Sequence, residues 1–410
     1  FNFNVLFSLL NFKLLFMQEE LENMKNLSLA GEKIMFLSEG DIRYDSRILK
    51  SINVATENGA EALGFGIIDR IAPSQYSRIG KNAKIFSINL VSRKVPFKLI
   101  RYICAILEYN FKGLFFALKH RPSLIHCNDY VPLPLAIIIK ILLRSKILYD
   151  AHELESHKHG QSKLTSILVF SLEFLSWSFI DSFVTVSESI KNWYLKKFPK
   201  KASCVVLNTP FFKNNLIYEK TYLRKKFKIP ENYKVFIYVG VLTKGRCLFE
   251  IIDCFKQEEI SKRACLVFLG SGPLKEKLFS MVTTDNLIFF HRPVAPEEVL
   301  KITSSADYGI RIDKNESLSH EFSLPNKIFE YIFAGIPLIT APNHGDVSNL
   351  IETLKLGIIC EPNLESMKKA IKKMMSKKIK FDIDSNKLYP YSWDCQSKNL
   401  LKNYIKILNK

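Results

Sequence analysis

The stretch LTKGR, residues 242–246, sets two cations, Lys244 and Arg246, beside a glycine turn directly after an apolar run. Such a pair can neutralise a diphosphate, Arg through a planar fork of donors and Lys through a compact point charge. A second stretch, SLPNKIFEYIFAG at 323–335, has a helix-start signal at Ser323-Leu324-Pro325 and a stop signal at Gly335 and Pro337. The spacing predicts a helix over Asn326 to Ala334, entered through Pro325. Its N–H groups and positive dipole end would face an anion, phosphate above all. Glu330 falls four residues after Asn326, on the same face and about 6 Å further along the axis. A diphosphate at the helix start and a ribose at the carboxylate fit that offset, because a carboxylate accepts hydrogen bonds from paired hydroxyls. Gly270-Ser271-Gly272 follows another apolar run, where missing side chains let a ligand approach the backbone. Basic loops, surface glutamates and glycine turns are each common alone; their conjunction is the stronger signal.

Other candidates lie nearer the N-terminus. His126 near the end of SLIHC and Asp129 just after it read as acceptor-side groups, the alternative being polar loop residues that cap helices. His152 and Glu153 follow KILYDA. His152 could hydrogen-bond a transferred group or orient an acceptor, or be a loop histidine with a local partner, and Glu153 could act in its place. Asp45 and Arg47 read as a structural pair at a helix start.

These residues need a scaffold, and the chain shows its rhythm. KIMFLSEG, EALGFGII, KIFSINL, SLIHC, KILYDAHE and SFVTVSES read as strands separated by helical stretches. The rhythm restarts after SCVVLNTPFFKNN with KVFIYVG, ACLVFLGSG, NLIFFHRPV, DYGIRID, PLIT and LGIIC. Alternating strands and helices give parallel sheets covered on both faces. Two such sheets in tandem, with a polar linker near 209–225 and a closing helix in YSWDCQSKNLLKNYIKIL, predict an α/β chain of two doubly wound domains. In such sheets ligands bind beyond the carboxyl ends of the strands, so residues just after each strand are the ones to inspect. A cleft between two such domains is a common ligand site.

Length and composition agree. The 410 residues suggest two or three domains, and the chain is 47% hydrophobic with a formal charge of +19. That charge fits nucleic acid, an anionic membrane or anionic substrates, and part of it reflects a Lys-, Asn- and Ile-rich composition. No nucleic-acid recognition motif is visible and the basic residues are not striped. The eight cysteines lack zinc or disulfide spacing, which predicts reduced, buried thiols and a cytoplasmic protein. The D-x-D at Asp382 and Asp384 lies in a polar stretch and reads as solvated; no metal and no cofactor are expected. Residues 1–30 read as a non-native or disordered extension, or as a membrane-lying segment. KVPFKLIRYICAILEYNFKGLFFALKHR (94–121) is basic and aromatic, and KLTSILVFSLEFLSWSFI (163–180) is apolar around Glu173. Neither is a convincing span. They read either as ordinary core helices or as a face for an anionic membrane surface.

YVGVLTKGR, FLGSGPLKEKL, VAPEEVLKITSSADYGI and SLPNKIFEYIFAGIPLIT, together with DSRILK, LIHCNDYVPLPLA, YDAHELES, FIDSFVTVSESI and YSW, resemble the glycosyltransferases of the GT-B fold, most of all the retaining family 4 group. The resemblance covers nearly everything from about residue 31. It implies an N-terminal acceptor-side domain over 31–212, a nucleotide-sugar domain over 213–385, and a helix over 386–410 that crosses back to the first domain. It also implies that Arg246 holds the donor diphosphate, with Lys244 as a less certain helper. Leu324, Pro325 and Asn326 would bind the distal phosphate and sugar, and Glu330 the ribose. Lys327 belongs to the motif and could face either way. The loop His291 to Val294 would lie by the base, Gly40 near the donor phosphates, and His152 at the reaction centre. The chain departs from the pattern twice: Phe322 stands where many members carry a first glutamate, beside Glu321, and Cys247 replaces a glycine after Arg246. The implied activity is sugar transfer from a nucleotide diphosphate sugar to a saccharide or lipid-linked acceptor, in surface-polysaccharide synthesis. A peripheral position on the inner face of the plasma membrane goes with it. A sugar-nucleotide epimerase on the same fold, or a degenerate scaffold at the membrane, remain the rivals.

Overall fold

The computed structural model describes residues 28–68, 75–78, 82–211, 219–283, 287–343, 345–376 and 385–409. Two sheets organise them. In the first, β1 (Lys33–Leu37), β2 (Glu61–Ile67), β4 (Ala83–Ile88), β5 (Leu124–Asn128), β6 (Lys146–Ala151), β7 (Ser182–Thr185) and β8 (Ser203–Val205) run parallel, with β3 (Gln75–Arg78) antiparallel on the edge. The order is β3-β4-β2-β1-β5-β6-β7-β8. In the second, β9 (Lys234–Val239), β10 (Ala264–Leu269), β11 (Ile288–His291), β12 (Tyr308–Arg311), β13 (Leu338–Thr340) and β14 (Gly357–Ile359) are all parallel, ordered β11-β10-β9-β12-β13-β14. The central strands are continuous apolar runs because helices cover both of their faces: β5 and β10 are buried at every position.

On one face of the first sheet lie α1 (Ser46–Glu57) and, later in the chain, a terminal helix; on the other lie α2 (Lys98–His120), α3 (Leu133–Leu143) and α4 (Lys163–Ser176). Asp45 caps α1, accepting from the N–H groups of Arg47 and Ile48, which leaves the Arg47 side chain free for another partner. In the second domain α5 (Leu318–Phe322) leads through Ser323 into α6 (Asn326–Phe333), which buries Ile328, Phe329, Ile332 and Phe333. The terminal helix α7 (Trp393–Leu408) returns to the first domain, where Leu400, Tyr404 and Ile407 join Phe36, Ile48 and Ile52 in one core.

Four details differ from the expectation. The polar strand β3 has no apolar alternation to announce it. The short β8 lies within the stretch SCVVLN that reads as the approach to a linker. Tyr222–Phe227 is a helix that overlaps the end of the expected linker, anchored by the buried Leu223. Leu29, assigned to the extension, is buried in the first core and its N–H donates to Asn58; residues 1–27 lie outside the described residues. The eight cysteines are unpaired; five are buried, and Cys104, Cys204 and Cys395 are half-buried.

Candidate active site between the two sheets

The carboxyl ends of both sheets face one cavity of ≈ 440 Å³. On its second-domain side are Arg246, Arg311, Asp313, His320 and the helix start Leu324-Pro325-Asn326; on its first-domain side are Arg47, His152 and Glu153. Pro325 is the N-cap of α6 and Asn326 its first residue, the start that the spacing predicts. No side chain caps that start, and while the Ile328 N–H turns back to the Pro325 carbonyl, those of Asn326 and Lys327 are unsatisfied within the helix and open to an anion.

Arg246 reaches the cavity because Gly245 turns with φ +80°. Its Nη1 lies 2.6 Å from Asp313 Oδ1, and Arg311 Nε donates to Asp313 Oδ2 at 2.7 Å. Burial pushes the Asp313 carboxyl up, but the Arg311 and Arg246 guanidiniums outweigh it and hold it below the usual carboxylate range. Two guanidiniums on one carboxylate leave a net positive charge at the cavity wall. The same turn throws Lys244 outward: it is exposed and does not line the cavity, which corrects its placement beside Arg246. Cys247 takes φ +47°, the left-handed region a glycine would occupy freely.

At the second position of α6, Lys327 reaches forward along the helix and donates to Glu330 Oε1 at 2.7 Å. Glu330 Oε2 is buried without a hydrogen-bond partner. A buried acceptor in that state is costly; neither Lys327 nor Glu330 is among the residues lining the cavity.

Beneath His152 lies a charged network. Arg47 grips Asp150 with both ends of its fork, at 3.0 Å and 2.7 Å, and its Nη1 donates to the Val206 carbonyl at 2.7 Å. The Arg47 side chain therefore pairs with Asp150, and Asp45 meets Arg47 through its backbone N–H at the helix start. His126 Nε2 lies 3.2 Å from Asp150 Oδ2, and His126 Nδ1 is 2.7 Å from the Tyr404 hydroxyl of α7. Burial raises the Asp150 carboxyl, and Arg47, His152 and His126 more than reverse that, leaving it well below the ordinary value. His152 sits at the top, its Nε2 3.2 Å from Asn128 Oδ1 and its Nδ1 3.6 Å from Asp129 Oδ2. The Asn128 amide NH₂ donates to Leu37, which turns Oδ1 toward the histidine. Asp129 has φ +60°, an uncommon backbone state for a non-glycine that here directs its carboxylate to the ring.

Several sequence candidates fall elsewhere. His126 is fully buried on the interior strand β5, so it supports the wall and cannot meet an acceptor. Gly270 and Gly272 do not line the cavity: a Cβ on Gly270 would meet the Gly240 carbonyl oxygen at 2.0 Å, and one on Gly272 the Leu242 carbonyl oxygen at 2.4 Å. They are glycines because the loops after β9 and β10 pack on each other, joined by Leu242 N–H to Ser271 and Leu274 N–H to Leu242. Val294 packs against the second core, and His291 is held by Tyr222 and the Arg292 carbonyl. Gly40 is not among the lining residues. Phe322, at the missing-glutamate position, packs with Leu318 against the first-domain core, and its carbonyl accepts from Ser187 Oγ at 2.7 Å. Asp382 and Asp384 lie outside the described residues.

Sequence reasoning missed Arg311, Asp313 and His320. A guanidinium ending a buried strand, as Arg311 ends YGIR, is the signal that could have found the first two. His320 had none: its ring stacks on His159 of the first domain at 5.3 Å, a contact only the assembled cleft makes.

Residues 219–389 match the family described as Glycosyl transferases group 1, and residues 71–210 match Glycosyltransferase Family 4. A chitobiosyldiphosphodolichol beta-mannosyltransferase of Kluyveromyces lactis is 24% identical over 242 residues, 50% of this chain and 53% of the relative. The chain thus spans about half the length of the curated relative it matches. Among solved structures, a sucrose-phosphate synthase from Thermosynechococcus elongatus superposes with a TM-score of 0.71 at 13% identity, covering 92% of this chain and 99% of the other. HepE of Anabaena, in complex with UDP and glucose, does so with 0.65 at 13% identity, covering 92% and 100%. Two parallel-sheet domains facing a cleft are the architecture these chains share.

Proposed function

We propose that this chain, a GT-B glycosyltransferase resembling family 4, moves a sugar from a nucleotide diphosphate sugar to a hydroxyl of a saccharide or lipid-linked precursor. The observation that carries the reading is one cavity lined at once by the Arg246 guanidinium, the uncapped start of α6 and His152. The bond between the sugar and the diphosphate breaks, a bond from the acceptor oxygen forms, and the acceptor proton leaves with the diphosphate. Negative charge grows on that leaving group. Arg246, fixed in advance by Asp313, and the N–H groups of Leu324 and Asn326 stabilise it without reorganising, which is where electrostatic preorganisation contributes most. Glu330, with one oxygen buried and unpaired, accepts from the ribose hydroxyls. His152, its ring orientation fixed by Asn128 and Asp129, faces the transferred sugar, and Glu153 stands on the acceptor side. Retention of anomeric configuration is what the family resemblance implies. A precursor for a surface polysaccharide, assembled on the cytoplasmic side of a membrane, suits the similarity to an enzyme named for a dolichol-diphosphate-linked acceptor.

A thermal-shift panel of nucleotide sugars tests the donor site. One of them should raise the melting temperature with rising concentration, and Arg246→Ala should abolish the shift while leaving the unliganded melting point in place. A panel in which no nucleotide sugar stabilises the protein would overturn the reading. Incubating the responding donor without acceptor separates transfer from epimerisation, since only an epimerase would return an isomerised donor.

A further inference from the structure

The outer face of the first domain is apolar where a water-facing surface is ordinarily charged. Along α2, Leu99, Tyr102, Leu107, Phe111 and Phe115 stand between 60% and 72% exposed. Ile141 on α3 and Leu164 and Leu168 on α4 continue the patch, each more than 60% exposed. The three helices lie on the same face of the sheet and pack side by side: the position of a Cβ on Gly113 of α2 is 2.4 Å from Leu135 of α3. Monomeric proteins rarely expose so much contiguous apolar surface without a partner.

Charge identifies the partner. The three helices contain only two carboxylates, Glu108 and Glu173. Glu108 is spent on the N–H groups of Val91 and Ser92 and on Lys112, and Glu173 is buried on the hydroxyls of Tyr149 and Tyr194. The cations are not spent: Lys98, Arg101, Lys119 and Lys163 have no ion-pair partner among the described residues. Arg93, Lys98 and Arg101 line a shallow pocket with Leu99 and Tyr102 at the start of α2. A second copy of this chain fits poorly, because a two-fold contact through this face would oppose cation to cation with no carboxylate to receive them.

We propose that the outer face of α2, α3 and α4 lies in the surface of an anionic phospholipid bilayer, with Lys98 and Arg101 on headgroup phosphates and the apolar side chains below them. Docking of this kind places the cavity as well. α2 and α4 each follow a strand, so their first residues sit at the carboxyl edge of the sheet, where the cavity opens. A bilayer on this face therefore presents lipid-borne hydroxyls at the acceptor side; only this last step rests on the transfer reading above.

The test is co-sedimentation of the full chain with vesicles of phosphatidylcholine alone or phosphatidylcholine with phosphatidylglycerol. Binding should require phosphatidylglycerol and weaken with salt. Leu107→Glu with Phe111→Glu, both at exposed positions, should cut binding on the order of tenfold or more while the nucleotide-sugar melting shift persists. Lys98→Gln with Arg101→Gln should remove the preference for the anionic lipid. Failure to bind either vesicle, binding untouched by the double Glu variant, or a dimer in light scattering that the same variant dissolves would each sink the inference. Vesicle binding without any nucleotide-sugar response would leave it standing and fail the donor reading instead.

Discussion

On the second-domain side the cavity takes a cation from the loop after β9, a carboxylate from the end of β12 and amides from the start of α6. These parts are presented by turns and helix ends, and the strands behind them are apolar. On the first-domain side one imidazole is held by Asn128 and Asp129, above an aspartate clamped by an arginine from α1 and a histidine that leans on α7. One wall offers charge to a ligand; the other uses charge to hold itself together. Substitutions should separate accordingly, with folding suffering on the first-domain side and chemistry on the second.

The sharpest break is at Asp150. Asp150→Asn leaves Arg47 buried beside a neutral group, and breaking a buried ion pair costs about 3–5 kcal/mol, to be read as a lower denaturation midpoint. The Asp150 carboxyl is depressed in the folded state, so the stability it contributes is present above the unfolded carboxylate range and is lost as pH falls through its folded value. The variant should therefore lack part of the acid-induced loss that the parent shows.

Next comes Arg246. Removing one stabiliser of transition-state charge costs on the order of 100- to 1000-fold in turnover. Arg246→Ala should show that fall in transfer rate with a melting point close to the parent's, and a matching drop in stability would erase the contrast between the walls.

Glu173, behind the first-domain wall, should sharpen it. Burial pushes its carboxyl up to about 7, partly opposed by Tyr194 and Tyr149. The folded state then keeps a proton that the unfolded chain has released, so stability should decline from about pH 4.5 to pH 7 and level off above. Glu173→Gln should flatten that decline in melting curves taken across the range.

Glu330→Gln keeps the helix but weakens a hydroxyl acceptor, and donor affinity should fall about tenfold, the size of a charge-assisted hydrogen bond, in the same thermal-shift titration. The smallest effect belongs to Cys247→Gly. Relief of a left-handed backbone, about 1 kcal/mol, opposes the loss of a thiol packed with Leu248 and Ile251 in a core of the second domain. The melting point should move by only a few degrees.

The same contrast explains what the sequence could disclose. Most of the strands begin and end close to where their apolar runs do, because parallel strands covered on both faces have little room for polar residues. The start of α6, Arg246 and His152 were readable for a local reason: each follows a strand or opens a helix. The Arg47–Asp150–His126–Tyr404 network was not, since its members are brought together only by the sheet register and by a helix nearly 280 positions after His126. Gly270 and Gly272 misled because a glycine required by a neighbouring loop looks, in one dimension, like a glycine required by a ligand. Lys244 misled because a single turn decides which of two nearby cations faces inward.

Tyr404 has a consequence for biosynthesis. It is wholly buried in the first domain and hydrogen-bonds a histidine in that domain's central strand. On the ribosome, the earlier half of this chain must wait, one face uncovered, until the entire later half has emerged. Slow translation of the second domain would lengthen the time in which Phe36, Ile48 and Ile52 are open to a chaperone or to aggregation.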